Sequence, residues 1–205
     1  MKQQKTIAVD IDDVLSRSAE GFAAFSNKQW GLRLTPEDYS EEWAVVWGVP
    51  LDEAIKRSEV YHSSGAVGAF MPHEAAMPVL KRLAQKYTLV CVTSRRQILK
   101  PETDRWIEHH FPHIFNGLHY AGIWDKPLDG RNVQAKLNAT KAELCRELGA
   151  EYLIDDQLKH CIGAADAGIK AVLFGNYKWN REPAVLPKGV TRAHHWDEVA
   201  EYFHV

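Results

Sequence analysis

The sequence predicts an α/β fold, a doubly wound, Rossmann-like parallel sheet with a small all-helical block inserted after the first strand. Strand-like apolar runs alternate with helical segments along most of the chain, as in parallel sheets covered by helices. A block of helical pattern without a buried strand separates the first two runs. We therefore expect residues 1–15 and 78–205 to form the α/β core and residues 16–77 to form a helical block inserted into it.

The elements follow in order along the chain. The pattern is helical from residue 16 to about residue 73, and a return helix over residues 72–87 leads into the second strand. A long loop over residues 175–187, which either lines the ligand-bearing edge or packs on the core, precedes the last helix. The remaining predicted strands are 89–93, 118–121, 152–155 and 171–174, and the remaining helices are 102–110, the Lys141 segment, 157–167 and 196–203.

The first strand ends in closely spaced acids. Residues 7–9 are apolar without alternation, which is typical of a strand buried on both faces, and Asp10, Asp12 and Asp13 follow. Ligands bind at the carboxyl ends of such strands, and neighbouring carboxylates raise each other's pKa unless a cation relieves the repulsion. Mg²⁺ suits such oxygen-rich sites, whereas a solvated turn or a helix cap is the structural alternative.

The second strand ends in hydroxyls and cations. Thr93 and Ser94 stand where hydroxyls and free backbone N–H groups can hold phosphate oxygens, although such pairs commonly cap helices as well. Arg95 and Arg96 either bind an anionic substrate or are solvated at the start of a helix.

Lys141 stands at an unfavourable place for a cation. Thr140 and Glu143 form a capping-box pattern, which places Lys141 in the first turn of a helix. The helix dipole disfavours a cation there by up to about 1 kcal/mol at an exposed site. A penalty of this size is tolerated on any protein surface, so the position need not have a functional meaning. The same penalty is expected if Lys141 points at a bound phosphate and neutralises its charge.

A second acidic pair follows the fourth strand. Residues 152–154 are apolar and Asp155 and Asp156 come next, which repeats the arrangement at the end of the first strand. Because the carboxyl ends of parallel strands share one edge of a sheet, we expect the two acidic groups to converge on one cation.

Taken in order, Asp10-x-Asp12, Thr93, Lys141 and Asp155-Asp156 resemble the four motifs of the haloacid dehalogenase (HAD) superfamily of phosphohydrolases. The resemblance spans nearly the whole chain, and it implies that the helical block of residues 16–77 is a small cap that closes over the active site. Within the superfamily, residues 10–15, 93–95 and 154–156 resemble the 5′(3′)-deoxyribonucleotidase-like branch, the type C cytosolic nucleotidases. Members of that branch also replace the usual glycine after the second aspartate, as Asp13 does here.

The resemblance implies roles for the motif residues. Asp10 would be the nucleophile that forms an aspartyl-phosphate, and Asp12 would be the general acid and base. Thr93 and Lys141 would bind the transferring phosphoryl group. Dehalogenases of the superfamily lack an acid at the second position, so Asp12 favours phosphate esters over haloacids.

The resemblance also implies a bound Mg²⁺. Its ligands would be the Asp10 carboxylate, the backbone carbonyl of Asp12 and the Asp156 carboxylate. Asp155 would bind the metal through a water or support the site from behind the ligands. The implied activity is a Mg²⁺-dependent phosphatase acting on a small phosphomonoester, with a (deoxy)nucleoside monophosphate as the preferred substrate.

Aromatic residues of the predicted cap suggest where a base would bind. Trp43 and Trp47 are one helical turn apart and share a face, so they could form a slot for a nucleobase. Stacking a base on an aromatic ring is worth about 1–3 kcal/mol. The alternative is that both rings fill the core of a small cap.

Composition limits the other functions. The chain has 205 residues and a net charge of −2, without the basic footprint of a nucleic-acid polymer-binding protein. No signal-peptide pattern or membrane-spanning stretch is present, and three scattered cysteines suggest a reducing compartment, so we expect a cytoplasmic monomer or homodimer. The alternatives to a nucleotidase are a phosphatase or phosphotransferase of sugar phosphates, and a receiver-like or non-catalytic module.

Overall fold

Six parallel strands form one sheet in the part of the chain that the computed structural model describes, residues 4–121 and 141–205. Their order across the sheet is β3-β2-β1-β4-β5-β6, and every neighbouring pair is parallel. This confirms the predicted doubly wound sheet. The strands are β1 Thr6–Val9, β2 Thr88–Thr93, β3 Leu118–Tyr120, β4 Ala150–Asp155, β5 Lys170–Phe174 and β6 Val190–Ala193.

Strand β1 is central because its residues are apolar on both faces. Residues 7–9 are fully buried, and Val9 lies between Cys91 of β2 and Ile154 of β4. The backbone N–H of Asp10 continues this ladder by donating to the carbonyl of Ile154 at 2.9 Å. The carboxyl ends of β1, β2 and β4 therefore meet at one edge, at the position where the order of the strands reverses.

Eight helices accompany the strands in the described residues. Three short 3₁₀ turns, Pro36–Asp38, Val67–Ala69 and Gln97–Leu99, lie between them. The helices are α1 Ser18–Trp30, α2 Trp43–Trp47, α3 Leu51–Ser63, α4 Ala76–Leu83, α5 Lys100–His110, α6 at residues 141–147, α7 Leu158–Asp166 and α8 Trp196–Phe203.

Two apolar clusters cover the faces of the sheet, as the alternation of strand side chains requires. Ile7 and Val9 face a cluster that includes residues of α4, α5 and α8. Ala8 faces the other cluster, which includes Cys145 of α6 and Cys161 of α7. The cysteines at 91, 145 and 161 are buried and form no disulfide.

The segment between β1 and β2 has an apolar cluster of its own. Phe22, Trp47, Tyr61 and Phe70 are among its buried members. From Ala76 onward the chain packs against the sheet again, since α4 contributes to the cluster beneath β1. The division into a core and a cap of residues 16–77 stays a prediction.

The structure differs from the expected elements in three places. The helical block is interrupted, because Gly31 and Gly48 end α1 and α2 in the left-handed conformation that glycine adopts without strain. The return helix is shorter than residues 72–87 and covers only Ala76–Leu83. Strand β6 was not predicted, since it has only four residues and two of them, Thr191 and Arg192, are polar.

Thr140, the predicted N-cap of the Lys141 helix, lies outside the described residues. None of the described helices combines the length and the apolar character needed to cross a bilayer.

Candidate active site

Three buried carboxylates meet where β1 and β4 end. Asp10 follows β1, whereas Asp155 and Asp156 close β4 and begin the next turn. Each contributes one oxygen to a group of atoms that all lie within 4.8 Å of one another. The structure thus brings together the two acidic groups that the sequence placed at the same edge.

Lys141 reaches this group from the first described residue of α6. Its Nζ lies 2.9 Å from Asp10 Oδ1 and 2.6 Å from Asp155 Oδ2, and its side chain is 1% exposed. Burial acts to lower the pKa of Lys141, but the charges of Asp10 and Asp155 outweigh it and raise that pKa. The ammonium group therefore stays charged between two carboxylates.

The single ammonium of Lys141 leaves uncompensated charge among the three acids. Burial raises the pKa of Asp10 to about 7, although Lys141 opposes the shift. Burial, together with the neighbouring Asp155 and Asp10, raises the pKa of Asp156 well above its ordinary value. A divalent cation bound among them would supply the missing positive charge, and Mg²⁺ prefers such carboxylate oxygens. These residues fit a Mg²⁺ site.

The two acids at the end of β4 have different partners. Asp155 uses both oxygens, since Oδ2 accepts from Lys141 and Oδ1 accepts the backbone N–H of Gln157 at 2.8 Å. Asp156 Oδ2 accepts from the Trp179 indole at 2.6 Å and from the Gln157 side chain at 2.8 Å. Its Oδ1 is the oxygen that these two donors leave for a ligand.

Asp12 faces Arg95. The guanidinium donates to Asp12 through Nη2 at 2.7 Å and Nε at 2.9 Å, and Ser18 Oγ donates at 2.5 Å. Burial acts to raise the pKa of Asp12, but Arg95 outweighs it and that pKa is lowered. Arg95 also donates to Thr103 at 3.2 Å. Arg95, expected to bind substrate, thus binds Asp12 here, although it also lines the cavity described below.

The two hydroxyls after β2 have different surroundings. Thr93 is fully buried, and its Oγ1 accepts the backbone N–H of Arg95 at 3.1 Å. Ser94 lines the cavity, and its buried Oγ has no hydrogen-bond partner among the described residues. Ser94 therefore offers a hydroxyl without a described partner to the same cavity that the acids line.

A cavity of about 600 Å³ extends from the acids into the segment between β1 and β2. Its polar wall includes Arg96 and His62. The Nε atom of Arg96 and the Nδ1 atom of His62 are buried and have no hydrogen-bond partner in the described part of the chain. Burial, with a smaller effect of Arg96, lowers the pKa of His62 to about 4, so the imidazole is neutral at pH 7. The apolar wall includes Phe22, Tyr39, Trp43, Ala54, Tyr61, Val67, Phe70 and Leu99.

Trp43 and Trp47 do not form a shared slot. Trp43 lines the cavity, with its ring centroid 5.4 Å from that of His62. Trp47 is 3% exposed, stacks on Phe22 and donates its indole N–H to Ser26 at 3.0 Å. Its ring lies inside the apolar cluster and is not among the residues that line the cavity, so the structure does not bring Trp47 to the position that the sequence suggested.

The loop after β5 contributes contacts that the sequence did not assign. Trp179 donates to Asp156, and the Tyr177 hydroxyl donates to the carbonyl of Asp13 at 2.7 Å. The Asn180 side chain donates to the carbonyl of Asp156 at 2.9 Å and to that of Phe174 at 2.8 Å. The position of this loop at the ligand-bearing edge was the available signal, and its individual partners were not predictable.

Comparisons with known proteins agree with this arrangement. Residues 4–121 match the family model described as 5′ nucleotidase, deoxy (Pyrimidine), cytosolic type C protein. No curated protein matches the chain.

Among solved structures, the chain is similar in fold to three bacterial proteins. The first is described as a predicted phosphatase from Clostridium acetobutylicum, with a TM-score of 0.69, 14% identity and 99% of each chain covered. A haloacid dehalogenase-like hydrolase from Streptococcus pneumoniae has a TM-score of 0.66 and 15% identity, covering 99% of this chain and 100% of that one. The magnesium-bound HAD-hydrolase YfnB from Bacillus subtilis has a TM-score of 0.64 and 15% identity, with both chains covered completely.

Proposed function

Because the chain belongs to the 5′ nucleotidase, deoxy (Pyrimidine), cytosolic type C protein family within the HAD superfamily, it is a phosphoric monoester hydrolase, and we propose that it hydrolyses nucleoside monophosphates with Mg²⁺. The observation that carries the proposal is the convergence of Asp10, Asp156 and Lys141 at one end of the cavity. The description of the matching family as cytosolic also supports a cytoplasmic location.

The first chemical step belongs to Asp10. One of its carboxylate oxygens attacks phosphorus, the bond to the ester oxygen breaks, and an aspartyl-phosphate forms. Lys141 and the Ser94 hydroxyl line the same cavity as Asp10, and they bind the phosphoryl oxygens as negative charge develops on them. Thr93 lies buried behind them.

Asp12 moves the protons of both steps. It donates a proton to the leaving oxygen and later removes one from the water that attacks the aspartyl-phosphate, which is typically worth about 10²–10⁴ in rate. Arg95 holds Asp12 ionised, the form that the second step requires. The negative charge of a bound phosphate raises the pKa of Asp12 against this pull, so that Asp12 can carry a proton in the first step.

The Mg²⁺ ligands would be the carboxylates of Asp10 and Asp156 and the backbone carbonyl of Asp12. The two occupied oxygens of Asp155 support its place behind the ligands, where it holds Lys141. When bound, the cation offsets the negative charge of the acids and the phosphate.

The cavity supports the nucleotide as substrate. It continues beyond the acids between aromatic and aliphatic side chains, so a group larger and less polar than phosphate fits there. The ring of Trp43 and the unpartnered polar atoms of His62 and Arg96 offer stacking and hydrogen bonding to a planar base.

Measuring turnover of a panel of phosphate esters with Mg²⁺ or with EDTA tests the proposed function. The panel contains 5′- and 3′-ribonucleotides, the corresponding deoxynucleotides and sugar phosphates. We expect hydrolysis of nucleotides at a higher kcat/KM than sugar phosphates, and loss of all activity in EDTA. Equal turnover of both classes would overturn the substrate, and activity that persists in EDTA would overturn the role of the metal.

Replacing Trp43 by Leu tests the position of the base. Because stacking contributes about 1–3 kcal/mol, KM for nucleotides should rise by roughly 5- to 150-fold. KM for glycerol 3-phosphate, which has no ring to stack, should stay unchanged, and Trp43→Phe should retain most of the affinity. A uniform change for both substrates would show that Trp43 shapes the site without binding a base.

A further inference from the structure

Two donors fix one oxygen of Asp156, and one of them comes from a distant part of the chain. The Trp179 indole N–H donates to Oδ2 at 2.6 Å, beside the Gln157 amide at 2.8 Å. Asn180 donates to the backbone carbonyl of the same aspartate. The orientation of Asp156, and of the oxygen that remains free, therefore depends on where the indole of Trp179 is held.

Aromatic rings hold Trp179 on two sides. The indole stacks on Tyr177 with the ring centroids 4.6 Å apart and an angle of 4° between the planes. The ring of Tyr39 contacts it edge-on at 5.3 Å. Tyr39 belongs to the segment between β1 and β2, where it also packs edge-on against Phe22 at 5.3 Å.

Ion pairs flank the contact of Tyr39 with Trp179. Glu37 accepts from Arg181 at 2.9 Å, and Glu41 forms an ion pair with Lys159 of α7. Glu37, Tyr39 and Glu41 thus all contact the half of the molecule that contains Asp156. The pair of Glu37 with Arg181 is exposed and that of Glu41 with Lys159 is partly buried. Surface ion pairs contribute little stability, so these two chiefly set the register in which Tyr39 meets Trp179.

We propose that Tyr39 and Trp179 are positioning residues for the cation site, and that the seating of segment 37–41 on Trp179 is coupled to Mg²⁺ binding at Asp156. Without Tyr39 the indole loses one of its two packing surfaces, and its N–H holds Asp156 Oδ2 less firmly. Hydrogen-bond partners behind a metal ligand commonly change metal affinity by about 10- to 100-fold. Coupling is reciprocal, so Mg²⁺ also stabilises the seated segment. The inference rests on the proposed function, since it requires the Mg²⁺ site.

Isothermal titration of the full chain with Mg²⁺, without substrate, tests the first direction. Trp179→Phe keeps the ring but removes the N–H, and we expect Kd to rise by about 10- to 100-fold. Tyr39→Leu leaves every acid and every donor to Asp156 in place, and we expect Kd to rise by roughly 2- to 30-fold. Tyr39→Phe should bind like the unsubstituted protein, because it restores the ring.

The matched control is Trp30→Leu. Trp30 is an aromatic residue of the same inserted segment and packs on Phe25 and Trp47. This variant should lose stability but keep the Mg²⁺ affinity, which separates positioning from a general loss of packing. In the Trp179→Phe background, Tyr39→Leu should have no further effect on Kd.

Hydrogen exchange of segment 37–41 tests the reverse direction. Mg²⁺ should slow exchange there in the unsubstituted protein and leave it unchanged in Trp179→Phe. Equal Mg²⁺ affinity of Tyr39→Leu and the unsubstituted protein would overturn this inference alone. Failure of the unsubstituted protein to bind Mg²⁺ would overturn the cation site of the proposed function, and this coupling with it.

Discussion

Asp10→Asn should abolish phosphate-ester hydrolysis and leave the fold intact. The amide is not a nucleophile, so the proposed covalent route through an aspartyl-phosphate is lost, and loss of a nucleophile typically lowers kcat by at least about 10⁴-fold. The amide also removes one charged ligand of the proposed Mg²⁺ site. Steady-state turnover of a nucleotide under saturating Mg²⁺ measures the effect.

The same variant should be at least as stable as the unsubstituted protein in EDTA at pH 8. Burial raises the pKa of Asp10 to about 7, which means that its charge is costly in the absence of a cation. Lys141 keeps Asp155 as its partner. The control is Asp166→Asn, the same change at an exposed position, which should alter neither activity nor stability. Retention of more than about one hundredth of the activity in Asp10→Asn would contradict its role as nucleophile.

Among the substitutions at the site, Lys141→Met should cause the largest loss of stability. Removing one partner of a buried ion pair leaves charge uncompensated and costs about 3–5 kcal/mol. Here the unpaired groups are Asp10 and Asp155, which lie within 2.9 Å of the ammonium. Urea denaturation in EDTA measures the free energy of unfolding, and Lys188→Met, at an exposed position, is the matched control. Activity should fall as well, because the phosphoryl group loses its cation.

The loss of stability in Lys141→Met should increase with pH. A carboxyl group with a raised folded-state pKa contributes stability at low pH and loses it as the pH rises through that pKa. The pKa of Asp10 is already about 7 beside Lys141, and it rises further without the ammonium. The difference from the unsubstituted protein should therefore be largest above about pH 8 and smaller near pH 5. A deficit that is independent of pH, or one that Asp155→Asn does not reduce, would contradict this explanation.

The convergence of the site was predictable because it follows from strand order and strand ends. Apolar runs before Asp10 and Asp155 indicated two buried strands, and the parallel sheet brings such ends to one edge. Lys141 was identified by its unfavourable place at the start of a helix, and it does reach both acids.

Partners that depend on tertiary packing were not predictable. The sequence places Trp43 and Trp47 on one helix face, but the packing of Phe22 decides which ring is buried and which lines the cavity. The pairing of Arg95 with Asp12 joins residues that no local pattern relates. Strand β6 was not predicted because a short edge strand with polar residues lacks the apolar run that identifies a central strand.

The neighbours of β1 carry a consequence for biosynthesis. Ala8 pairs with Val90 on one side and with Leu153 on the other, so one edge of the strand is completed only by residues far along the chain. A ribosome has to translate well past residue 155 before the apolar strand is shielded on both sides. Until then the nascent polypeptide exposes an unpaired edge that invites association with other chains, and chaperones are suited to protect it.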